Sequence, residues 1–194
     1  MAGVVEPFAP LFGMPSEVCE SASLLGLERI ELREACRLNE RWHSRLPRMY
    51  LAALGFGDVA LAYAAVWQCG VYGVAIWTRP VAANRMALPY KHLLELRRLA
   101  VPDYAPHYTA TRMLGLMAKR LRHDVPEVCT LVSYQDTATH TGTIYRAANW
   151  VKGCEQKEHL SWLAHGVPRR RGATDQSDAP KVRWELKIKP LCRH

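Results

Sequence analysis

Two apolar, aromatic-rich runs separated by only three residues most constrain the fold of this chain. They read DVALAYAAVW (58–67) and VYGVAIW (71–77), and Gln68, Cys69 and Gly70 stand between them. Runs rich in Val, Tyr and Trp that are joined by a short connection containing Gly are typical of a β-hairpin. The sequence therefore predicts two antiparallel strands that pair with each other.

The segments around this hairpin alternate between helical and extended patterns. Residues 27–43 carry apolar positions at helical spacing, which predicts an amphipathic first helix. The later predicted elements are a leucine-rich strand (92–101), a helix with an apolar stripe (Ala110, Met113, Leu114, Met117 and Leu121), a strand (128–134), a short helix (139–149) and a final strand (181–188). This order predicts an α/β fold, with one mixed sheet and helices on both of its faces.

Length and composition favour one domain with loose ends. A chain of 194 residues, 49% of them hydrophobic, is the natural size of one α/β domain. We expect a flexible arm (1–25), a domain (26–194) and a mobile basic loop (166–180). No basic start or apolar run of about 20 residues is present, so we expect a cytoplasmic protein with no membrane partner. The six cysteines contain no Cys-x-x-Cys pair, which is typical of reduced thiols.

The chain is basic, and the charge is concentrated towards its end. The formal net charge is +8, and from Val151 onward ten Lys/Arg stand against five acids, a net charge of +5. One interpretation is a polyanionic partner. The other is a protein whose surface charge only keeps it dispersed.

The predicted strand 92–101 carries three charged residues in an apolar run. Alternation places Leu93, Glu95, Arg97 and Leu99 on one face, and Leu94, Leu96, Arg98 and Ala100 on the other. Charges in such a strand are costly unless they are paired or line a cleft. Glu95 and Arg97 therefore either neutralise each other or belong to a site.

The run from Thr130 to Trp150 is dense in reactive side chains, and it resembles the last core motif of the GNAT N-acyltransferase fold. In that motif a helical Tyr precedes a Gly-Phe or Gly-Trp, and here Tyr145 precedes Asn149-Trp150. The resemblance implies a GNAT-like domain in which Tyr145 is the general acid. A phenol with a pKa of about 10 suits proton donation at neutral pH. A core tyrosine that packs the helix on the sheet is the structural alternative.

A second GNAT motif is missing. GNAT enzymes that use acetyl-CoA carry a glycine-rich loop that cradles the pyrophosphate, whereas the corresponding residues 102–111 contain no glycine. The absence argues against acetyl-CoA as the donor, because glycine lets the backbone approach a phosphate closely. Thr109 or Thr111 is a candidate N-cap of the following helix, and both are candidate donor-binding residues.

A closer resemblance covers roughly residues 39–150 and points to the phage Mom family. The motifs that carry it are Trp42-His43-Ser44-Arg45-Leu46-Pro47, Glu95-Leu96-Arg97-Arg98-Leu99, a Thr-rich helix start, Val132-Ser133-Tyr134-Gln135-Asp136, and Gly142-Thr143-Ile144-Tyr145. That family attaches a carbamoylmethyl group to N6 of adenine in phage DNA and so protects the DNA from restriction. The resemblance implies a DNA-modifying transferase in the cytoplasm of a host bacterium, and a homodimer is compatible with it.

This chemistry needs a proton acceptor, because the exocyclic amine of adenine must lose a proton as it attacks. The candidate catalytic residues are Tyr145, Asp136, His43, His140 and Ser133. As an alternative, His43, Asp136 and His140 could hold a metal ion, but their spacing matches no recognised ligand motif, so no metal is expected. We expect a donor that is derived from glycine. These residues do not fix its identity.

The target base must be flipped out of a duplex or met in a single strand. Trp42, Tyr134 and Trp150 are candidate stackers, although Trp150 fits a core position equally well. Further candidate DNA contacts are Arg45, Arg48, Glu95, Arg97, Arg98, Thr137, Thr143, Arg169, Arg170 and Arg171. Two other functions remain open: a GNAT N-acyltransferase that acts on a protein or small amine, and a non-catalytic DNA-binding module that opposes restriction.

Overall fold

A mixed seven-stranded sheet is the frame of the protein. The computed structural model describes residues 18–43, 59–80, 90–156, 163–164, 167–168 and 180–190. The strands are β1 (Gly26–Arg29), β2 (Ala60–Trp67), β3 (Gly70–Thr78), β4 (Leu93–Ala100), β5 (Thr130–Asp136), β6 (Val151–Gln156) and β9 (Lys181–Lys187), and a small separate pair is formed by β7 (Leu163–Ala164) and β8 (Val167–Pro168). In space the sheet runs β1-β2-β3-β4-β5-β9-β6. The predicted α/β mixed sheet is therefore confirmed.

Three α-helices in the described part of the chain cover the two faces of the sheet. They are α1 (Leu32–Trp42), α2 (Thr109–Asp124) and α3 (Thr143–Ala147). Helix α1 packs on one face through a cluster centred on Ala35, Val74 and Ile76. On the opposite face α2 and α3 bury a larger core that includes the predicted methionines Met113 and Met117. We call these the α1 face and the α2 face.

The predicted hairpin is confirmed. Strands β2 and β3 pair antiparallel along their whole length, and the turn between them is made by Gln68 and Cys69. The predicted strand near residue 130 and the final strand are also present, as β5 and β9.

A β-bulge in β4 reverses part of the predicted alternation. Leu96 pairs with Trp77 but Arg98 pairs with the next residue, Ile76, so Arg97 is the extra residue. Because Ile76 belongs to the α1 face, Arg98 lies on that face. The prediction that Arg98 shares a face with Leu96 is therefore wrong.

Strands β4 and β5 pair for only part of their length. They are parallel, and their pairing runs from Leu93 with Thr130 to Leu96 with Ser133. Beyond this point β4 continues to Ala100 and β5 to Asp136 without pairing with each other. The sheet therefore opens between these two strands.

Four other details differ from the sequence predictions. The predicted first helix begins later, because residues 26–29 pair with β2 as β1. The flexible arm does not extend to residue 25: Ala22 and Leu25 are buried, and the Cys19 N–H donates to the Tyr72 hydroxyl. Strand β6 was not predicted, and β8 lies at the start of the predicted 166–180 loop. The rest of that loop, up to residue 179, and residues 1–17 lie outside the described residues.

None of the described helices is long and apolar enough to cross a membrane. Cys19, Cys36, Cys69 and Cys129 are free thiols, as the sequence predicts for them.

Candidate active site

Ser133 and Tyr145 form a buried hydrogen-bonded pair where the sheet opens. Ser133 is the last β5 residue that pairs with β4, and its Oγ lies 2.8 Å from the Tyr145 hydroxyl. Burial raises the pKa of the Tyr145 phenol above its usual value of 10.0, against the opposing effect of the Ser133 hydrogen bond. Tyr145 is therefore a neutral phenol at physiological pH, which can donate a proton.

An aromatic and amide framework that the sequence reading missed holds Tyr145 in place. The Trp184 ring from β9 stacks on the Tyr145 ring, with centroids 5.4 Å apart and an interplanar angle of 15°. The Trp184 indole N–H donates to Gln135 Oε1 at 2.7 Å, and the Gln135 amide also donates to the His140 carbonyl. Gln135 thus connects the stacking partner of Tyr145 to the loop before α3. Gln135 stands two residues after Ser133, so alternation along β5 places both side chains on the same face. This spacing was the sequence signal that could have identified Gln135 as a site residue.

His43 lies in a second group of candidates, on the α1 face. Burial, with smaller contributions from Arg98 and His140, lowers the pKa of His43 to about 4. His43 is therefore a neutral imidazole at pH 7. Arg98 and His140 each disfavour its protonated form. The structure brings His43 and His140 into electrostatic contact although 97 positions of sequence separate them.

Asp136 does not share a face with Tyr145. In β5, alternation puts Ser133 and Gln135 on one face and Tyr134 and Asp136 on the other. The Asp136 carboxylate accepts a hydrogen bond from the Ala138 N–H at 3.0 Å, and its carbonyl accepts from the His140 N–H. Asp136 thus shapes the turn after β5, and it lies with Tyr134 on the face of β5 opposite to Ser133.

The charged residues of β4 are paired. Glu95 is 8% exposed and its Oε1 lies 3.5 Å from Arg97 Nε, so the neutralising pair left open by the sequence is present. Arg98 donates from Nη1 to the Arg97 carbonyl at 2.7 Å. Burial and the neighbouring Arg97 lower the pKa of Arg98 to about 10, while Glu95 and Cys36 oppose this shift. Arg98 remains a cation at neutral pH beside His43.

Neither predicted threonine caps helix α2. The N-cap is Tyr108, with φ +69° and no side-chain cap, while the Thr109 hydroxyl donates to the Pro106 carbonyl at 2.7 Å. Thr109 is buried, and Thr111 is half-buried. Both line a cleft of about 480 Å³ between the α2 start and Thr143 of α3. This volume lies within the range of small-molecule pockets.

The remaining residues that were predicted to contact DNA lie in different environments. Trp150 is a core residue, 4% exposed, with its ring 5.6 Å from that of Tyr145. Trp42 is half-buried against Tyr104 and Tyr134 is half-buried. Two hydroxyls lie at the surface: Thr137 donates to the Pro180 carbonyl at 2.7 Å, and Thr143 shares a 2.8 Å hydrogen bond with Thr141.

Several predicted DNA contacts lie outside the described residues, namely Arg45, Arg48, Arg169, Arg170 and Arg171. In the described part of the chain, no three His, Cys, Asp or Glu side chains lie close enough together to hold a metal ion. His43, Asp136 and His140 are thus not brought together as a ligand set.

Solved GNAT structures are similar to this fold. An acetyltransferase of Bacillus subtilis in complex with CoA has a TM-score of 0.55 and 13% identity, over 84% of this chain and 98% of the other. The ribosomal-protein-S18-alanine N-acetyltransferase of Escherichia coli has a TM-score of 0.56 and 14% identity, over 86% and 95%. The spermidine/spermine N-acetyltransferase of Vibrio cholerae has a TM-score of 0.57 and 9% identity, over 86% and 94%. The architecture is therefore that of the GNAT fold.

No curated protein sequence matches the chain significantly. The model of the Mom protein family, by contrast, matches residues 25–182, from β1 to the first part of β9. This range is well over half of the chain and includes every described candidate catalytic residue. The chain belongs to the Mom protein family.

Proposed function

We propose that this protein is a DNA-modifying transferase that adds a carbamoylmethyl-type group to N6 of adenine and so protects phage DNA from restriction. Membership of the Mom family and the GNAT architecture support a transferase that acts on DNA. The observation that carries the proposal is the buried Ser133–Tyr145 pair at the opening between β4 and β5.

Tyr145 is the proton donor in this proposal. Its raised pKa keeps the phenol protonated at neutral pH, so the group is suited to protonate a departing group. Ser133 orients the phenol through the 2.8 Å hydrogen bond, and Trp184 fixes the ring plane by stacking. The proton donor is thus positioned before the substrate arrives.

His43 is the favoured proton acceptor. With a pKa lowered to about 4, the imidazole is unprotonated at pH 7 but is a weak base in the free protein. A DNA phosphate that binds beside Arg98 would raise the imidazole pKa, since a nearby negative charge favours the protonated form. Substrate binding would then strengthen the base that the exocyclic amine of adenine requires. His140 is the second imidazole of this group.

The donor in this proposal is derived from glycine, and Thr109 and Thr111 at the start of α2 are its candidate contacts. Glycyl transfer would leave an amide at N6 with a free terminal amine, whereas carbamoylmethyl has N6 bonded to the methylene. The two products are isomers, so an acyl transfer would need a later rearrangement. Acetyl-CoA is disfavoured, because residues 102–111 offer no glycine for a close approach of the backbone to pyrophosphate.

Nucleoside analysis tests the proposal directly. DNA from cells that express the chain is digested and its nucleosides are analysed by mass spectrometry; soluble protein with only unmodified deoxyadenosine would contradict the proposal. Tyr145→Phe should slow modification by about 100- to 10,000-fold, the usual contribution of a general acid. DNA affinity should stay unchanged, which would exclude a purely binding role. Tyr63→Phe removes a hydroxyl that donates to Asp124 at the C-terminal end of α2, so it is the matched control and should retain modification.

The GNAT architecture also favours a second candidate, acyl transfer to an amine of a protein or small molecule. Two proteins of similar structure are a ribosomal-protein-S18-alanine N-acetyltransferase and a spermidine/spermine N-acetyltransferase. Calorimetry with acetyl-CoA separates the candidates: tight binding would support this one, and its absence would favour the DNA-modifying transferase.

A further inference from the structure

Tyr108 has a backbone conformation that its side chain does not favour. It is the N-cap of the 16-residue helix α2, with φ +69° and ψ 7°, and it makes no side-chain cap hydrogen bond. The left-handed region is unfavourable for residues with a Cβ, and bulky residues rarely adopt it. Glycine, or asparagine with its short polar side chain, would adopt this conformation at lower cost.

The Tyr108 ring contributes little to the fold. It is 77% exposed, twice the exposed fraction of Tyr104 in the same loop at 38%. Its ring neighbour is His107, also exposed, with centroids 5.7 Å apart and an interplanar angle of 46°. Within the described residues the Tyr108 hydroxyl makes no hydrogen bond. The presence of a tyrosine here is therefore better explained by something that binds to the protein.

The groups around Tyr108 suit a nucleotide. Tyr108 and Asp103 line the same cleft, which Thr143 closes from α3. Arg146 is exposed on α3, and its Nη2 donates to Thr143 Oγ1 at 3.3 Å, which places a guanidinium beside the cleft. An aromatic face, a cation and a carboxylate match a base, a phosphate and an exocyclic amine respectively.

We propose that Tyr108 is a stacking platform for an unpaired nucleotide of the bound DNA, with Arg146 contacting the phosphate and Asp103 accepting from an exocyclic amine. The inference rests on the proposed function only in taking DNA as the partner. Every base has a π-face, so stacking of this kind holds an extruded or single-stranded nucleotide without requiring a particular sequence. The site would retain the strand next to the base that is modified.

The decisive measurement compares two strands that differ only in their bases. Fluorescence anisotropy gives the affinity of the full-length protein for a labelled single-stranded oligonucleotide, and for an abasic strand of equal length that keeps every phosphate. The wild type should prefer the strand with bases, and Tyr108→Gly should lower affinity for it by about 5- to 150-fold. Affinity for the abasic strand should hardly change in this variant. Arg146→Gln should weaken binding of both strands alike.

Two variants keep this test independent of folding. Tyr108→Gly suits the left-handed backbone, so its thermal midpoint should equal or exceed that of the wild type. Tyr108→Phe retains the ring and should retain the preference for the strand with bases. Equal affinity of wild type and Tyr108→Gly for that strand would overturn the inference. So would an equal loss on both strands, or displacement of the oligonucleotide by CoA from wild type but not from Tyr108→Gly.

These outcomes are distinguishable from failure of the proposed function, because the binding measurement requires no modification. DNA that stays unmodified while Tyr108→Gly loses base-dependent binding would contradict the transferase and retain the stacking site. Modified DNA, together with equal oligonucleotide affinity of the wild type and Tyr108→Gly, would support the transferase and overturn the stacking site.

Discussion

At the residue scale, His43 combines partial burial with two neighbours that disfavour its charged form. Arg98 is a cation on the same face of the sheet, and His140 approaches from the loop after β5. The folded protein therefore binds a proton at His43 less readily than the unfolded chain does. The pKa of His43 is about 4 in the folded state, and its ordinary value is 6.5. Because the two values differ, the free energy of unfolding depends on pH.

We predict that His43→Gln flattens the pH dependence of stability. Well above pH 6.5 neither the folded nor the unfolded state protonates His43. As the pH falls from 6.5 towards 4, the unfolded chain takes up the proton first, so the wild-type free energy of unfolding declines. His43→Gln lacks this contribution, and its advantage over the wild type should grow between pH 7 and pH 5 in urea denaturation. His123→Gln, which leaves the His43 group intact, should follow the wild type. Parallel curves for His43→Gln and the wild type would contradict the assigned pKa shift.

Some site residues were predictable from the sequence because their own side chains carry chemistry. Tyr145, Ser133 and His43 stand in motifs whose residue types suggest proton transfer. Gln135 and Trp184 have no such signal, since they act by holding Tyr145, and Trp184 reaches it from a strand 39 positions later. Supporting residues of this kind become visible only when the sheet order is known.

At the scale of elements, patterns within one segment were predictable and pairings between segments were not. The β2–β3 hairpin and helix α2 follow from local apolar periodicity. Strand β1 lies in a sequence with helical spacing, and its pairing with β2 overrides that pattern. The β4 bulge depends on register with β3, so a strict alternation placed Arg98 on the wrong face. That error matters for the site because Arg98 lowers the His43 pKa.

Helix α3 begins at a tightly packed glycine, Gly142. Gly142 is the N-cap of α3 with φ +73°, and an added Cβ would lie 2.5 Å from Gln135 Oε1 and 2.6 Å from Trp184 Cζ2. Backbone strain and the forced displacement of this framework should together cost about 2 to 5 kcal/mol in Gly142→Ala. Chemical denaturation measures the loss, and tryptophan fluorescence should report the shift of Trp184.

Gly115 provides the matched control for Gly142→Ala. It lies in α2, it is exposed, and a Cβ there would meet nothing within 4 Å. Gly115→Ala should therefore stabilise the protein by about 1 kcal/mol through helix propensity. Similar effects of the two substitutions would mean that the α3 entry does not have the close packing described above.

At the scale of the whole molecule, the last described strand completes both the sheet and the site. Strand β9 lies between β5 and β6 and pairs antiparallel with each. It carries Val182, Trp184 and, just beyond its end, Ile188 into the core of the α2 face, where each is at most 6% exposed. The family match ends at residue 182, so it includes only the first part of this strand. The fold nevertheless makes β9 an integral part of the domain.

We predict that a chain shortened to end at residue 179 loses its cooperative fold. Removing β9 strips β5 and β6 of their shared neighbour and takes away three buried side chains, each worth about 1.5 to 3 kcal/mol. That sum approaches the total stability of a typical domain, about 5 to 15 kcal/mol. Circular dichroism during heating should show no sharp transition, whereas a chain that ends at Pro190 and keeps every described residue should unfold cooperatively. A sharp transition at the wild-type midpoint in the shorter chain would mean that the sheet is complete without β9. In that case Tyr145 would keep its position without Trp184, and the stacking framework assigned to the proton donor would be unnecessary.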